Sequence, residues 1–169
     1  SVGAARAGNV PPPERRVILI SVDGLPSQLY LHPEKYGLDI PNLMRLKSEG
    51  SYAEALEGVY PSVTYPSHTT MVTGRWPREH GIFTNLSSRK SGVRPRDWFW
   101  YAEAIRVPTL WDLARNKGLR TGAVSWPVTA GARIDWNIPE IWGPSEMNLS
   151  AWEVIARHAS PPGLLEEAF

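Results

Sequence analysis

Thr64 is the residue of this chain best placed to do chemistry. It stands in Tyr60-Pro61-Ser62-Val63-Thr64-Tyr65-Pro66-Ser67-His68-Thr69-Thr70-Met71-Val72-Thr73-Gly74, which reads as a loop feeding a short helix. Pro61 stiffens the approach. Pro66 suits the first turn, where a missing N–H costs little, and Gly74 suits the helix C-terminus. Thr64 then falls at or just before the N-cap. A hydroxyl there faces a cluster of unpaired backbone N–H groups and the positive end of the helix dipole, which together favour an anion. A phosphate held at that point would lie beside a potential nucleophile. Taken alone, Thr64 is most simply a helix cap; the surrounding chain changes that reading.

The elements that must position Thr64 can be traced in order. Val17-Ile18-Leu19-Ile20-Ser21-Val22 is a continuous, mostly β-branched run, predicted as a strand buried on both faces of a parallel sheet. It ends in Asp23-Gly24, and in open α/β sheets ligands bind at the carboxyl ends of strands. Asp23 is therefore a second candidate for chemistry, with a plain turn role as the alternative. Residues 41–50 are predicted as a helix opened by Pro41, closed by Gly50 and lined by Leu43, Met44 and Leu46. Residues 51–59 alternate weakly and are predicted as a strand delivering the chain to the Thr64 loop. Beyond Trp76-Pro77, a polar turn offers His80 and Asn85.

Further on, residues 107–118 carry the clearest helix, started by Pro108 or Thr109 and ended by Gly118. A strand over 120–126 follows and stops at Pro127. Strand, helix and strand with short links are the βαβ pattern of a parallel sheet. Residues 134–145 read as a Trp/Pro-rich loop and 150–158 as a helix, and 161–169 begin another helical segment that stops mid-pattern. The expected fold class is thus α/β, a mostly parallel sheet flanked by helices. Residues 1–16 read as an exposed arm.

Composition bounds the function. The 169 residues carry a net charge of +1, so no strong field points to a nucleic-acid polymer or a membrane surface. No apolar run approaches the length of a membrane span. With no cysteine, disulfides, thiolate metal sites and thiol nucleophiles are excluded. Eight Trp and sixteen Pro suggest many irregular connections with aromatic packing.

Val17 to Gly24, Pro41-Asn42-Leu43, Tyr60 to Gly74 and Trp76-Pro77-Arg78-Glu79-His80-Gly81-Ile82 together resemble the nucleotide pyrophosphatase/phosphodiesterases of the alkaline phosphatase superfamily. The family pattern is a Pro, two residues, Thr, aromatic, Pro, small polar residue and His. Downstream come Thr-Gly, two residues, Pro, two residues, His-Gly-Ile and a nearby Asn. The resemblance is clear from about Val17 to Pro127. It implies an alkaline-phosphatase-like fold of which residues 17–169 are an N-terminal, incomplete part. Asp23 would be a zinc ligand. Thr64 would be the nucleophile, coordinated to the same ion. Asn85 would donate to a non-bridging phosphate oxygen, and Tyr65 would line the substrate pocket. A divalent cation stabilises a Thr alkoxide and screens the phosphodiester charge, and the attack gives a phospho-threonine intermediate. The resemblance also implies two Zn2+, a small phosphodiester substrate and a location outside the cytoplasm.

The sequence departs from the family in one respect. The Asp-x-x-x-His and Asp-His pairs that complete the family's two-zinc site do not occur, and the only His residues are His32, His68, His80 and His158. A single carboxylate plus a hydroxyl is no dedicated zinc site. The expectation is a hydrolase of which this stretch alone is inactive. Phosphonoacetate hydrolases and phosphoethanolamine transferases also use Thr and stand as enzyme alternatives. A non-catalytic module binding a phosphorylated ligand at the Thr64 helix end is the alternative from another class. His68 and His80 are expected to support or pack. Trp98, Trp100 and Tyr101 are read as packing before base stacking, and Arg89, Lys90, Arg94 and Arg96 as a solvated loop face.

Overall fold

The computed structural model describes residues 16–87, 98–142 and 148–169. The expected arm over 1–16 therefore lies outside the described residues, apart from Arg16. So do Arg89, Lys90, Arg94 and Arg96. The chain divides into two compact units, Ser1–Ala55 and Leu56–Phe169.

In the first unit the run from Val17 to Val22 is not a buried strand. Val17, Ile18 and Ile20 are 94%, 81% and 79% exposed, and no strand is assigned there. A strand buried on both faces needs ladder neighbours and helices over it, and the described residues supply this run with neither. Asp23-Gly24 does form the expected turn, with Gly24 at φ 69°. Two helices follow, α1 (Ser27–Leu31) and α2 (Pro41–Glu49), separated by a 3₁₀ turn over Pro33–Tyr36. Pro41 opens α2 as expected, and Gly50 N–H closes it on Leu46 C=O at 2.9 Å. Its apolar side is uncovered: Leu43 and Leu46 are exposed. Among the described residues of this unit Pro33 alone is buried. Polar side chains make contacts within it. Tyr30 Oη donates to Ala53 C=O at 2.5 Å, and Lys47 sits over the Tyr52 ring at 5.0 Å. The strand expected over 51–59 is absent; these residues form no ladder and are mostly exposed.

The second unit has a core. It is built on α3 (Thr64–Thr73), α4 (Pro77–His80), α5 (Leu110–Asn116), α6 (Ala151–His158) and α7 (Leu164–Ala168). The main apolar cluster joins Tyr65, Ile82, Trp100, Val128, Ala130, Ile141 and Val154. A second joins Val72, Trp111 and Ile134, and a third Ile138, Ala159 and Leu165. Two expected helices start where their caps place them. Thr109 caps α5 by accepting from Asp112 N–H, and Ser150 caps α6 by accepting from Glu153 N–H.

The sheet is smaller than expected. β1 (Gly122–Val124) pairs in parallel with β2 (Trp136–Ile138), in the register Gly122 with Trp136, Ala123 with Asn137 and Val124 with Ile138. β1 lies inside the predicted strand over 120–126. β2 corrects the reading of 134–145 as loop: it holds only three residues, and Asn137 at its centre is a poor strand former. Asn137 earns the position by bonding, because its Nδ2 donates to Thr129 C=O at 2.8 Å and its backbone exchanges bonds with Ser160. The fold is α/β in the sense of helices with one small parallel pair.

Candidate functional site

α3 carries the first part of the site. Its buried residues are Tyr65, Pro66, His68, Thr69 and Val72, and all but Pro66 follow the i, i+3, i+4, i+7 spacing of one helix face. That face pulls the helix into the core with Thr64 at its first position. The N-cap is Val63, not Thr64, and no side chain of the cap residue bonds the helix end. Another group does so: Tyr65 N–H donates to Asn85 Oδ1 at 2.9 Å. Pro66 has no N–H, and Ser67 N–H donates to Val63 C=O at 3.2 Å. The row of open N–H groups expected at this end is thus largely committed. What Asn85 retains is its Nδ2 group, a pure donor.

Asn85 is itself held from the other side. Phe99 N–H donates to Asn85 C=O at 2.9 Å, and Leu86 bridges to Trp98 antiparallel. The structure therefore brings together Thr64, Tyr65 and Asn85, residues far apart in type and role but joined at one helix end. Asp23 belongs to the first unit, where it lies exposed in its turn.

Tyr65 does not offer its ring to a ligand here. Its side chain is 0% exposed, packed tilted against Trp98 at 5.4 Å and edge-on to Trp100 at 6.3 Å. Its hydroxyl donates to Glu140 Oε1 at 2.9 Å. Burial, with the Glu140 carboxylate beside it, pushes the phenol far above its ordinary value. Glu140 was not singled out by the sequence. It lies 75 residues from Tyr65 inside a stretch read as loop, and no local spacing points to it.

The two histidines of the motif support the helix. His68 Nδ1 donates to Thr64 C=O at 2.8 Å, and the ring stands edge-on to Trp126 at 5.1 Å. A carbonyl can only accept, so the Nδ1–H tautomer follows for neutral His68. His80 is fully buried at the end of α4. Its Nδ1 accepts from Ile82 N–H at 3.1 Å, so its Nε2–H donates to Thr70 Oγ1 at 3.0 Å. Burial holds the His80 pKa below its ordinary value, with Glu79 pulling partly the other way. His80 thus ties the turn at Gly81 to α3, as expected of it. Trp98, Trp100 and Tyr101 behave as packing: Trp98 and Trp100 stack at 5.6 Å, Trp142 meets both edge-on, and Tyr101 pairs with His158.

A metal is harder to place. Among the described residues no group of three or more His, Cys, Asp or Glu is arranged to hold an ion. Asp23 and Thr64 by themselves do not make a zinc site. An open groove of about 340 Å³ lies nearby in sequence, lined by Tyr60, Trp76, Pro77, Arg78 and Phe83. Neither Thr64 nor Asn85 lines it. Among the described residues no helix is long and apolar enough to cross a membrane.

Comparison with known proteins identifies the family. The family model for type I phosphodiesterase/nucleotide pyrophosphatase matches residues 17–168. The human ectonucleotide pyrophosphatase/phosphodiesterase family member 1 is 31% identical over 146 residues, covering 80% of this chain. The bovine family member 3 is 32% identical over 135 residues, or 75% of this chain. The venom phosphodiesterase of Naja atra is 31% identical over 136 residues, again 75% of this chain. The matched stretch spans only 14%, 14% and 15% of these three relatives. With its Thr64 motif, its His-Gly-Ile turn and a family match over residues 17–168, the chain belongs to the type I phosphodiesterase/nucleotide pyrophosphatase family.

Proposed function

We propose that this chain supplies the nucleophile part of an enzyme that hydrolyses phosphodiester or pyrophosphate bonds in nucleotides or related small molecules. Residues 17–169 are read as the N-terminal part of an alkaline-phosphatase-like catalytic domain. The observation that carries the proposal is the bond from Tyr65 N–H to Asn85 Oδ1 at 2.9 Å. It ties an amide donor to the residue next to Thr64. A nucleophile and a donor for phosphoryl oxygen are what attack at phosphorus requires side by side.

In the proposed reaction Thr64 Oγ1 attacks phosphorus in line. The Thr64 O–P bond forms as the bond to the leaving oxygen breaks; the leaving group departs carrying the displaced electron pair, and the Thr64 hydroxyl proton is released to solvent. Water then attacks phosphorus, its O–P bond forming as the Thr64 O–P bond breaks, one water proton returning to Thr64 Oγ1 and the monoester leaving. Asn85 Nδ2 donates to a non-bridging oxygen in both steps. Tyr65, proposed from the sequence as a pocket residue, contributes here through its backbone N–H and its buried ring. Asp23 and Thr64 are proposed as the share of a two-zinc site found in this stretch, the other donors lying outside the described residues. A place outside the cytoplasm is proposed on the family resemblance alone.

The test is metal content together with hydrolysis of p-nitrophenyl-TMP, on the 169-residue chain and on the full natural protein. The full protein is expected to hold about two zinc ions and to turn over. Its Thr64→Ala variant is expected to keep the metal and lose turnover. Wild-type-like activity in that variant sinks the nucleophile assignment. A full protein that neither binds metal nor turns over leaves Thr64 as a ligand-binding helix end.

A further inference from the structure

We infer that Glu140 is a positioning residue for the Thr64 site, acting through Tyr65 on Asn85; the inference rests on the function proposed above. Glu140 accepts from Tyr65 Oη at 2.9 Å, and Tyr65 N–H in turn donates to Asn85 Oδ1 at 2.9 Å. A single residue, adjacent to the nucleophile, is therefore gripped at both ends. One end is a carboxylate 75 residues downstream, the other an amide 20 residues downstream.

The grip is rigid for physical reasons. The Tyr65 side chain is fully buried among Trp98, Trp100 and the rest of the main core cluster, so its ring has one orientation. In a close-packed interior a displaced ring shifts its own backbone. Glu140 is anchored by the buried Pro139 and Ile141 on either side of it, directly after β2. The hydroxyl-to-carboxylate bond thus joins the strand end to the first turn of α3. Loss of that bond leaves a buried polar group without its partner, and the packed ring and the first turn of α3 shift together to relieve it, so Asn85 Oδ1 loses its fixed donor. The Nδ2 group aimed at phosphoryl oxygen then wanders, and displacements of this kind near a reacting centre cost large factors in rate.

The experiment uses the full natural protein, with p-nitrophenyl-TMP for kinetics and selective ¹⁵N labelling of Asn and Tyr for spectroscopy. Glu140→Ala is expected to move the Tyr65 backbone amide and the Asn85 side-chain amide signals. It should lower kcat about ten- to hundredfold, with KM within about twofold. Glu140→Gln keeps an acceptor for the phenol and is expected to restore both readouts. Should Glu140→Ala fail to fold, Tyr65→Phe decides, because it removes the hydroxyl and keeps the ring; it is expected to move the same Asn85 signal and lower kcat alike. Unmoved amide signals in these variants, or a Gln variant that rescues neither readout, overturn the inference. The spectroscopic arm does not depend on chemistry at Thr64. A Thr64→Ala protein that still turns over would fail the functional reading and leave the Glu140 coupling to be judged by the amide signals.

Discussion

One side-chain amide is asked to do two things. Asn85 Oδ1 takes the Tyr65 N–H that opens α3, and Asn85 Nδ2 is proposed to hold a phosphoryl oxygen. The two roles separate by substitution. Asn85→Asp keeps an acceptor at the helix end, where a negative charge is also favoured by the dipole, but has no amide donor. It is expected to unfold within a few degrees of the wild type while losing about a hundred- to thousandfold in kcat on p-nitrophenyl-TMP. Wild-type turnover in Asn85→Asp would remove Nδ2 from the reaction. At this scale part of the candidate site could be proposed in advance. Thr64, Asn85 and the two histidines stand out by type and spacing, because their motifs are local. The bond joining Tyr65 to Asn85 and the one joining Tyr65 to Glu140 could not. Both cross stretches whose folding no short pattern encodes, and a Tyr beside a nucleophile reads as a pocket residue until its burial is known.

At the scale of elements, α3 and α4 act as a pair locked by His80. Both of its ring nitrogens are used, one accepting from Ile82 N–H and one donating to Thr70 Oγ1. A second proton on the ring would face the Ile82 N–H, which is a donor. Its folded-state pKa lies below the ordinary value, chiefly through burial. The unfolded chain therefore takes up the proton first as pH falls. The stability that neutral His80 contributes is present above about pH 6.5 and is lost as pH drops from there through the depressed folded value. Thermal unfolding followed from pH 8 to pH 5 is expected to show this loss, and His80→Gln is expected to flatten it. An unchanged pH profile in His80→Gln would place the dependence elsewhere. Elements with side-chain caps were readable in advance: Thr109 with Asp112 starts α5, and Ser150 with Glu153 starts α6. Strands were not. The most apolar run, Val17 to Val22, has no ladder among the described residues, whereas β2 forms around the polar Asn137. A strand is defined by its neighbours, and composition alone does not name them.

The whole chain is uneven. The second unit has its core clusters, while the described part of the first buries only Pro33 and exposes its longest apolar run. Asp23 lies in the first unit, and Thr64, Tyr65 and Asn85 lie in the second. The stretch corresponds to 14% of the human relative, so the activity proposed belongs to the protein as a whole. In the proposed reaction Thr64 carries the phosphoryl group between the two steps. The most direct measurement is to incubate the full natural protein with p-nitrophenyl-TMP, stop the reaction with acid, and map the chain by mass spectrometry. A thymidylyl adduct is expected on the peptide containing Thr64, located on that residue by fragmentation and absent from Thr64→Ala. Turnover without any adduct at Thr64, or an adduct on another residue, would contradict it.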